Sequence, residues 1–331
     1  MILHIMTLDK FLPPFIKFVE QYFDTSEHKF VFINNEEYKF GLQKNVAIEF
    51  LNTDEELQKV FEYMKNATKI ILHGLWRPRI EIFLLQNQEL LKKSYWVMWG
   101  GDFYFPKKQT QEKHQLIQKM GYLVTGTLGE IEYVRKHYNA TGKHIEAFVY
   151  ISNLYKEISS SSKQSKTINI LIGNSANPTN HHKEILDKLI KYKDKDIALH
   201  MPLSYGDFNY AEEIMQYAYQ QFGTKFHPIT DFMGIDEYNA LLSTIDIALF
   251  NHNRQQGMGN IITLLGLGKK VYMRSDVTTW QMFHSNDIVL YDVKDITLDL
   301  ISDKTSLKNQ KNVRALFSAK NFKKQLTKLF E

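Results

Sequence analysis

Residues 246–274 read DIALFNHNRQQGMGNIITLLGLGKKVYMR, and this stretch sets the fold. Ile247–Phe250 is a short apolar run and residues 271–273 form another; each suits a buried parallel strand, with enough chain between them for a crossover. Inside the crossover, Gly257 and Gly259 permit close backbone approach just where Asn260 is placed to cap a helix beginning IITLLGLG. The free N–H groups of that helix end make an anion site of nucleotide size, and Arg254 brings a forked cation beside it. A plainer reading leaves the two glycines as a chain reversal and Arg254 as a solvated charge, because a glycine pair alone is a weak motif.

Outward from this stretch the chain repeats the same unit. A strand at Ile168–Ile172 runs into Gly173, Asn174 and Ser175, and a helix follows Asn180. A second strand over 197–203 ends at Ser204, Tyr205 and Gly206, a helix covers 210–222 and another 236–244, and residues 288–291 close the series as a strand. The N-terminal half alternates likewise: strands at Ile2–Met6, 29–33, 46–50, 69–72, 95–99 and 122–125, with helices at 10–22 and 54–66. His73 and Gly74 fall at the carboxyl end of one strand, and Gly100, Gly101 and Asp102 turn the chain after another, where open α/β sheets hold ligands. Asp102 suits either a base that handles a substrate hydroxyl or an Asx turn, and His73 either a ligand contact or a satisfied structural ring.

Four consecutive serines mark residues 152–167 as a linker, so the expected division is 1–151, a linker 152–167, a second domain 168–303 and a basic C-terminal helix over 304–331. That last stretch carries eight Lys or Arg against one acid, and solvation is its default explanation. A chain of 331 residues has room for about two domains, and 44% apolar residues supply their cores.

Several classes lose support. The chain contains no cysteine, hence no disulfide framework or thiolate chemistry. There is no H-E-x-x-H, no P-loop and no strand with G-x-G-x-x-G, and Asp194 and Asp196 fall at the amino end of the sheet, away from ligands. Neither a cofactor nor a metal is expected. The formal charge of +4 is too mixed along the chain to imply nucleic acid, and no signal peptide or run of 18 apolar residues is seen. A soluble or peripheral protein follows as an expectation.

The set WGGDFY (99–104), GNSANPTNHH (173–182), MPLSYG (201–206), EYNALLSTIDIALFNHNRQQGMGN (237–260) and WQMF (280–283) resembles the 4-acetamido-4,6-dideoxygalactose transferase family, which acts in assembly of enterobacterial common antigen. The resemblance covers most of the chain. It implies a GT-B glycosyltransferase, two Rossmann-like domains facing a central cleft, with a dTDP-linked 4-acetamido-4,6-dideoxy-D-galactose as donor and a disaccharide on undecaprenyl diphosphate as acceptor. The matching positions are His73, Gly74, Trp99, Gly100, Asp102 and Tyr104, then Gly173, Asn174, Ser175, Asn180, His182, Tyr205, Gly206, Arg254, Gln255, Gln256, Gly257 and Gly259. Gly101 stands where alanine is common, and the chain ends match poorly.

Departure of a nucleoside diphosphate needs positive potential, which Arg254 and the helix near Asn260 supply; Asp102 is the matching candidate to orient or deprotonate the acceptor hydroxyl. A polyprenyl-linked acceptor implies work at the inner face of the cytoplasmic membrane. Phe11, Leu12, Phe15 and Phe18 beside Lys10 and Lys17, with Arg77, Arg79 and the basic tail, offer contact to an anionic surface, the alternative being that these aromatics are core. A sugar-nucleotide epimerase of the same fold and a binding-only protein stand as other readings.

Overall fold

Short β-branched and aromatic runs buried on both faces can pair only as inner strands of a parallel sheet. The structure, a computed structural model, describes residues 1–34, 39–45, 47–158 and 166–331. It divides into two units, one comprising Met1–Ser152 with Ala319–Glu331 and the other Asn153–Ser318.

In the first unit the strands are β1 (Ile2–Met6), β2 (His28–Phe32), β3 (Ile48–Phe50), β4 (Lys69–His73), β5 (Ser94–Val97), β6 (Tyr122–Val124) and β7 (Lys143–Ile145). They form one sheet in the order β3-β2-β1-β4-β5-β6-β7, every pair parallel. The second unit holds β8 (Ile168–Ile172), β9 (Ile197–Pro202), β10 (Phe226–Ile229), β11 (Ile247–Phe250), β12 (Lys270–Met273) and β13 (Tyr291–Asp292), again parallel, ordered β10-β9-β8-β11-β12-β13. Both orders run outward in two directions from a central pair, β1/β4 and β8/β11, and a crevice opens at the carboxyl ends of each such pair.

Two strands escaped the sequence reading. β7 is exposed or half-exposed along its length, so it lacks the apolar run that marks the others, and β10 contains Pro228, which is tolerated because β10 is an edge strand. The short apolar run at 148–151 forms no strand. The serine-rich core of the expected linker, 159–165, lies outside the described residues, as does Val46 of the expected third strand.

The basic tail differs most from expectation. It is two helices, Asp303–Leu316 and Ala319–Phe330, and the second belongs to the first unit. Phe322, Leu326 and Leu329 are buried there, Phe322 against Phe18, while Gln325 accepts from the backbone N–H of Phe148 at 3.0 Å and Lys69 donates to the Leu329 carbonyl at 2.9 Å. Burying these three side chains contributes roughly 1.5–3 kcal/mol each. The lysine count hid an apolar stripe at helical spacing.

The aromatic stretch near Lys10 is likewise core. Leu12, Phe15 and Phe18 are buried, Arg77 donates to the carbonyls of Ile33 and Asn52, and Arg79 pairs with Asp54 at 2.6 Å. Leu12, Phe15, Phe18 and Arg77 are thus engaged within the fold, while Lys10, Lys17 and the Arg79–Asp54 pair are exposed. Among the described residues no helix is long and apolar enough to cross a membrane.

Candidate active site

In the second unit the loops after β8 and β11 flank the central pair, and each brings its polar side chains to the other. Asn180 Oδ1 accepts from the Asn174 N–H at 3.1 Å and lies 2.8 Å from Nε2 of His252, while Asn180 Nδ2 reaches Ser175 Oγ and the Asn177 carbonyl. Gln256 donates to Asn174 Oδ1 at 3.2 Å and to Ser175 Oγ at 3.4 Å, and its own Oε1 accepts from Thr179 at 2.7 Å. Asn174 in turn donates to the hydroxyl of Tyr205, 3.1 Å away, from the loop after β9. That loop is zipped to the first through a parallel bridge between Gly206 and Ala176. Three loops thus share one hydrogen-bonded mesh.

The helix Met258–Gly266 begins on this mesh. Its N-cap is Gly257 in the left-handed region, φ 66°, a conformation that costs other L-residues about 1–2 kcal/mol. Asn260 is therefore not the cap: it lies within the first helical turn and donates to the Tyr238 hydroxyl at 2.9 Å. Gly259 occupies the same turn, where helical N–H groups lack intrahelical acceptors. Arg254 is half-buried beside it and donates to the Gln255 carbonyl at 3.2 Å.

Gly173 is where a side chain would strike His182, since a Cβ there would sit 2.4 Å from His182 Nε2. The His182 backbone N–H donates to the Tyr210 hydroxyl, whose oxygen also lies 3.1 Å from His182 Nδ1. His182 Nε2 is buried and has no hydrogen-bond partner among the described residues. Burial pulls the His182 and His252 rings down to about 3, so both are neutral.

The first unit arranges its residues differently. Asp102 is 1% exposed and accepts from three N–H groups: Trp96 Nε1 at 2.7 Å and Leu75 N at 3.1 Å on Oδ2, and Trp99 N at 3.1 Å on Oδ1. Burial pushes its carboxyl up to about 6 against those donors. A carboxylate so engaged ties together the loops after β4 and β5. Tyr104, expected to contact substrate, is buried with its hydroxyl 3.4 Å from Glu130, which burial pushes up to about 8. Gly100 packs under Tyr104, and Gly74 and Gly101 pack under Trp76.

His73 is buried too, and both ring nitrogens are engaged. An indole N–H can only donate, so Trp99 donates to the Tyr150 hydroxyl, whose oxygen also lies 3.0 Å from His73 Nδ1. His73 Nε2 is hydrogen-bonded to His4 Nδ1 at 3.1 Å, and His4 Nε2 to His28 Nδ1 at 2.9 Å, so the tautomers of the three rings are coupled. His73 is a link in this chain of three rings, both of its nitrogens engaged.

The structure therefore gathers Gly173, Asn174, Ser175, Asn180, His182, Tyr205, Gly206, Arg254, Gln255, Gln256, Gly257 and Gly259 at one sheet edge, and sets Asp102, His73 and Tyr104 in the interior of the other unit. Missed from sequence were His252, Thr179, Tyr238 and Tyr150. His252 sits within the NHNRQQG run and carried its own signal; the others come into place only through loops remote in sequence. Among the described residues no group of three or more His, Asp or Glu is arranged to hold a metal ion.

Known structures share this architecture. The fold is similar to a glycosyltransferase from Rickettsia africae ESF-5 (TM-score 0.70, 12% identity, covering 99% of this chain and 97% of that one). It is similar also to Anabaena HepE in complex with UDP (0.71, 11%, 99% and 98%) and to sucrose-phosphate synthase from Thermosynechococcus elongatus (0.67, 11%, 99% and 98%). These likenesses establish the GT-B fold. The profile of a family described as 4-alpha-L-fucosyltransferase, glycosyl transferase group 56, matches residues 4–331. Since that match spans nearly the whole sequence, the chain belongs to glycosyl transferase group 56, a family of glycosyltransferases.

Proposed function

We propose that the protein transfers 4-acetamido-4,6-dideoxy-D-galactose from its dTDP-sugar to a saccharide on undecaprenyl diphosphate, in synthesis of a cell-surface polysaccharide of the enterobacterial common antigen type. The observation that carries the donor half is the polar mesh at the β8/β11 carboxyl edge, where Asn174, Ser175, Asn180 and Gln256 adjoin the N-terminus of the helix Met258–Gly266. The motif set 99–104, 173–182, 201–206, 237–260 and 280–283 supports the sugar. The family description names an L-fucosyl group, a 6-deoxygalactose of the opposite series, and so supports a 6-deoxyhexose donor only as a class. The Anabaena HepE structures hold UDP and UDP-glucose, which supports a nucleotide sugar here.

In this reading Arg254 and the helix N-terminus stabilise the departing diphosphate without a metal. Tyr205 and Asn174 position the nucleotide or sugar. Asp102 positions the loops of the acceptor-binding unit. The enzyme works peripherally at the inner face of the cytoplasmic membrane, where the lipid-linked acceptor lies.

Parallel calorimetric titration with dTDP and UDP tests the donor, with dTDP expected to bind about tenfold more tightly, a difference of about 1.4 kcal/mol. Equal or tighter binding of UDP removes the dTDP assignment. Transfer assayed in excess chelator tests the metal, and activity lost there but restored by magnesium reverses that part. Flotation with anionic vesicles at low and high salt tests the membrane, with salt-sensitive binding expected.

A further inference from the structure

Trp76, in the loop after β4, is a large aromatic that is both held in place and left open. Its indole Nε1 donates to the His73 carbonyl at 3.1 Å, and its ring meets Trp99 edge-on at 6.1 Å and 90°. Gly74 lies so close that a Cβ there would be 2.0 Å from Nε1, and Gly74 has φ 83°; a Cβ on Gly101 would be 3.2 Å from the far edge of the ring. On either side the backbone is fixed, by Asp102 on the Leu75 N–H and by Arg77 on the carbonyls of Ile33 and Asn52. Yet the residue is 40% exposed.

Its place matters as much as its rigidity. Trp76 follows β4 by three residues, beside the β1/β4 pair at which the strand order of this unit reverses. Phe11, on the chain after β1, contacts Trp99 at 6.0 Å, so three loops at the carboxyl edge contribute one aromatic wall. A fully exposed tryptophan would lose side-chain freedom on binding; this one has already lost it during folding, so stacking against it orders little more.

We infer that the Trp76 indole is the stacking platform for a pyranose ring of the acceptor saccharide. A pyranose has an apolar face of axial C–H groups that lies flat on an aromatic ring, while its hydroxyls point outward to polar partners. The inference rests on the reading that this glycosyltransferase acts on a saccharide acceptor, and it adds the residue that receives the sugar. Glycine at 74 follows from it: a side chain there would push the indole off its seat.

The test is saturation-transfer NMR on the full chain with methyl glycosides of glucose, N-acetylglucosamine and glucuronic acid, alongside dTDP titration of the same samples. Wild type is expected to transfer saturation to ring C–H protons of at least one glycoside. Trp76→Leu, which keeps apolar bulk but no ring, should lose that signal, and Trp76→Phe should keep most of it; dTDP affinity should stay within about twofold in both. With the lipid-linked acceptor, Trp76→Leu should raise acceptor KM about tenfold with kcat little changed. Glycoside signal that persists in Trp76→Leu, or is absent from wild type, overturns the platform. Failure of dTDP to bind while the Trp76-dependent signal remains would instead remove the donor assignment and leave the platform standing.

Discussion

Trp96 Nε1 donates a 2.7 Å hydrogen bond to Oδ2 of Asp102 inside the first unit, and the indole is itself fully buried. An acid that follows a pair of glycines at a strand end looks like a base awaiting substrate. Here the neighbouring strand supplies a donor that takes the carboxylate inward, and the Leu75 and Trp99 amides complete its ring of donors. The acid becomes the knot between two loops.

Asp102→Asn should therefore act on stability before chemistry. Whichever way the amide turns, its NH2 meets an N–H donor, and leaving such buried groups unsatisfied costs about 1–3 kcal/mol. We expect a melting temperature lower by about 2–4 °C per kcal/mol, with dTDP affinity unchanged. A turnover loss of about a hundredfold in protein of wild-type stability would restore a chemical role for Asp102.

Arg254→Ala should do the reverse. A half-buried loop arginine beside a helix N-terminus contributes charge and little packing, so the melting temperature should hold while turnover falls by about a hundredfold, the usual effect of removing one transition-state donor. Arg254→Lys should recover only part, because the fork is lost. Activity of Arg254→Ala within about twofold of wild type would exclude the role.

Gly257→Ala should weaken nucleotide binding and the fold together. The left-handed backbone at φ 66° disfavours a side chain, and the new Cβ would lie 3.0 Å from His252 Cε1 and 3.3 Å from Asn174 Cγ. A loss of about 1 kcal/mol in urea unfolding is expected together with weakened dTDP binding, whereas Gly223→Ala, also at positive φ, 54°, but with open space around it, should cost stability and leave dTDP affinity unchanged. Unaltered dTDP affinity would separate this helix start from the donor site.

Protonation of the histidine chain offers a pH test. Burial lowers His73 to about 3 and His28 to about 4, and pulls His4 well below its ordinary value. An unfolded histidine titrates near 6.5, so below that pH the unfolded chain binds the extra proton and the native state loses stability, by up to about 1.4 kcal/mol per pH unit for each such ring. Glu130, raised to about 8, and Asp102, raised to about 6, bind protons earlier when folded and oppose the trend as pH falls. The difference between wild type and His73→Gln isolates the ring: the penalty of the substitution at pH 7 should shrink as the pH is lowered to 5. A penalty constant across that range, read by urea unfolding, would show that His73 does not stay neutral in the fold.

The sequence by itself determined the two parallel α/β units and most of the second unit's candidate site, because both rest on local signals. Apolar runs such as Ile247–Phe250 mark strands buried on both faces, and Gly173 to Ser175 and Gln255 to Gly257 follow such strands directly, so their place at the carboxyl edge is fixed by chain geometry. Tertiary structure alone decided the rest. Whether Asp102, His73 and Tyr104 face solvent depends on Trp96, Tyr150, His4 and Glu130, whose proximity is set by sheet order and not by spacing. The fate of the basic tail was equally hidden: its charges are visible in the sequence, but the surface that buries Phe322, Leu326 and Leu329 belongs to a unit whose other residues end at Ser152. Burial is a property of pairs of surfaces, and a linear sequence displays only one of each pair.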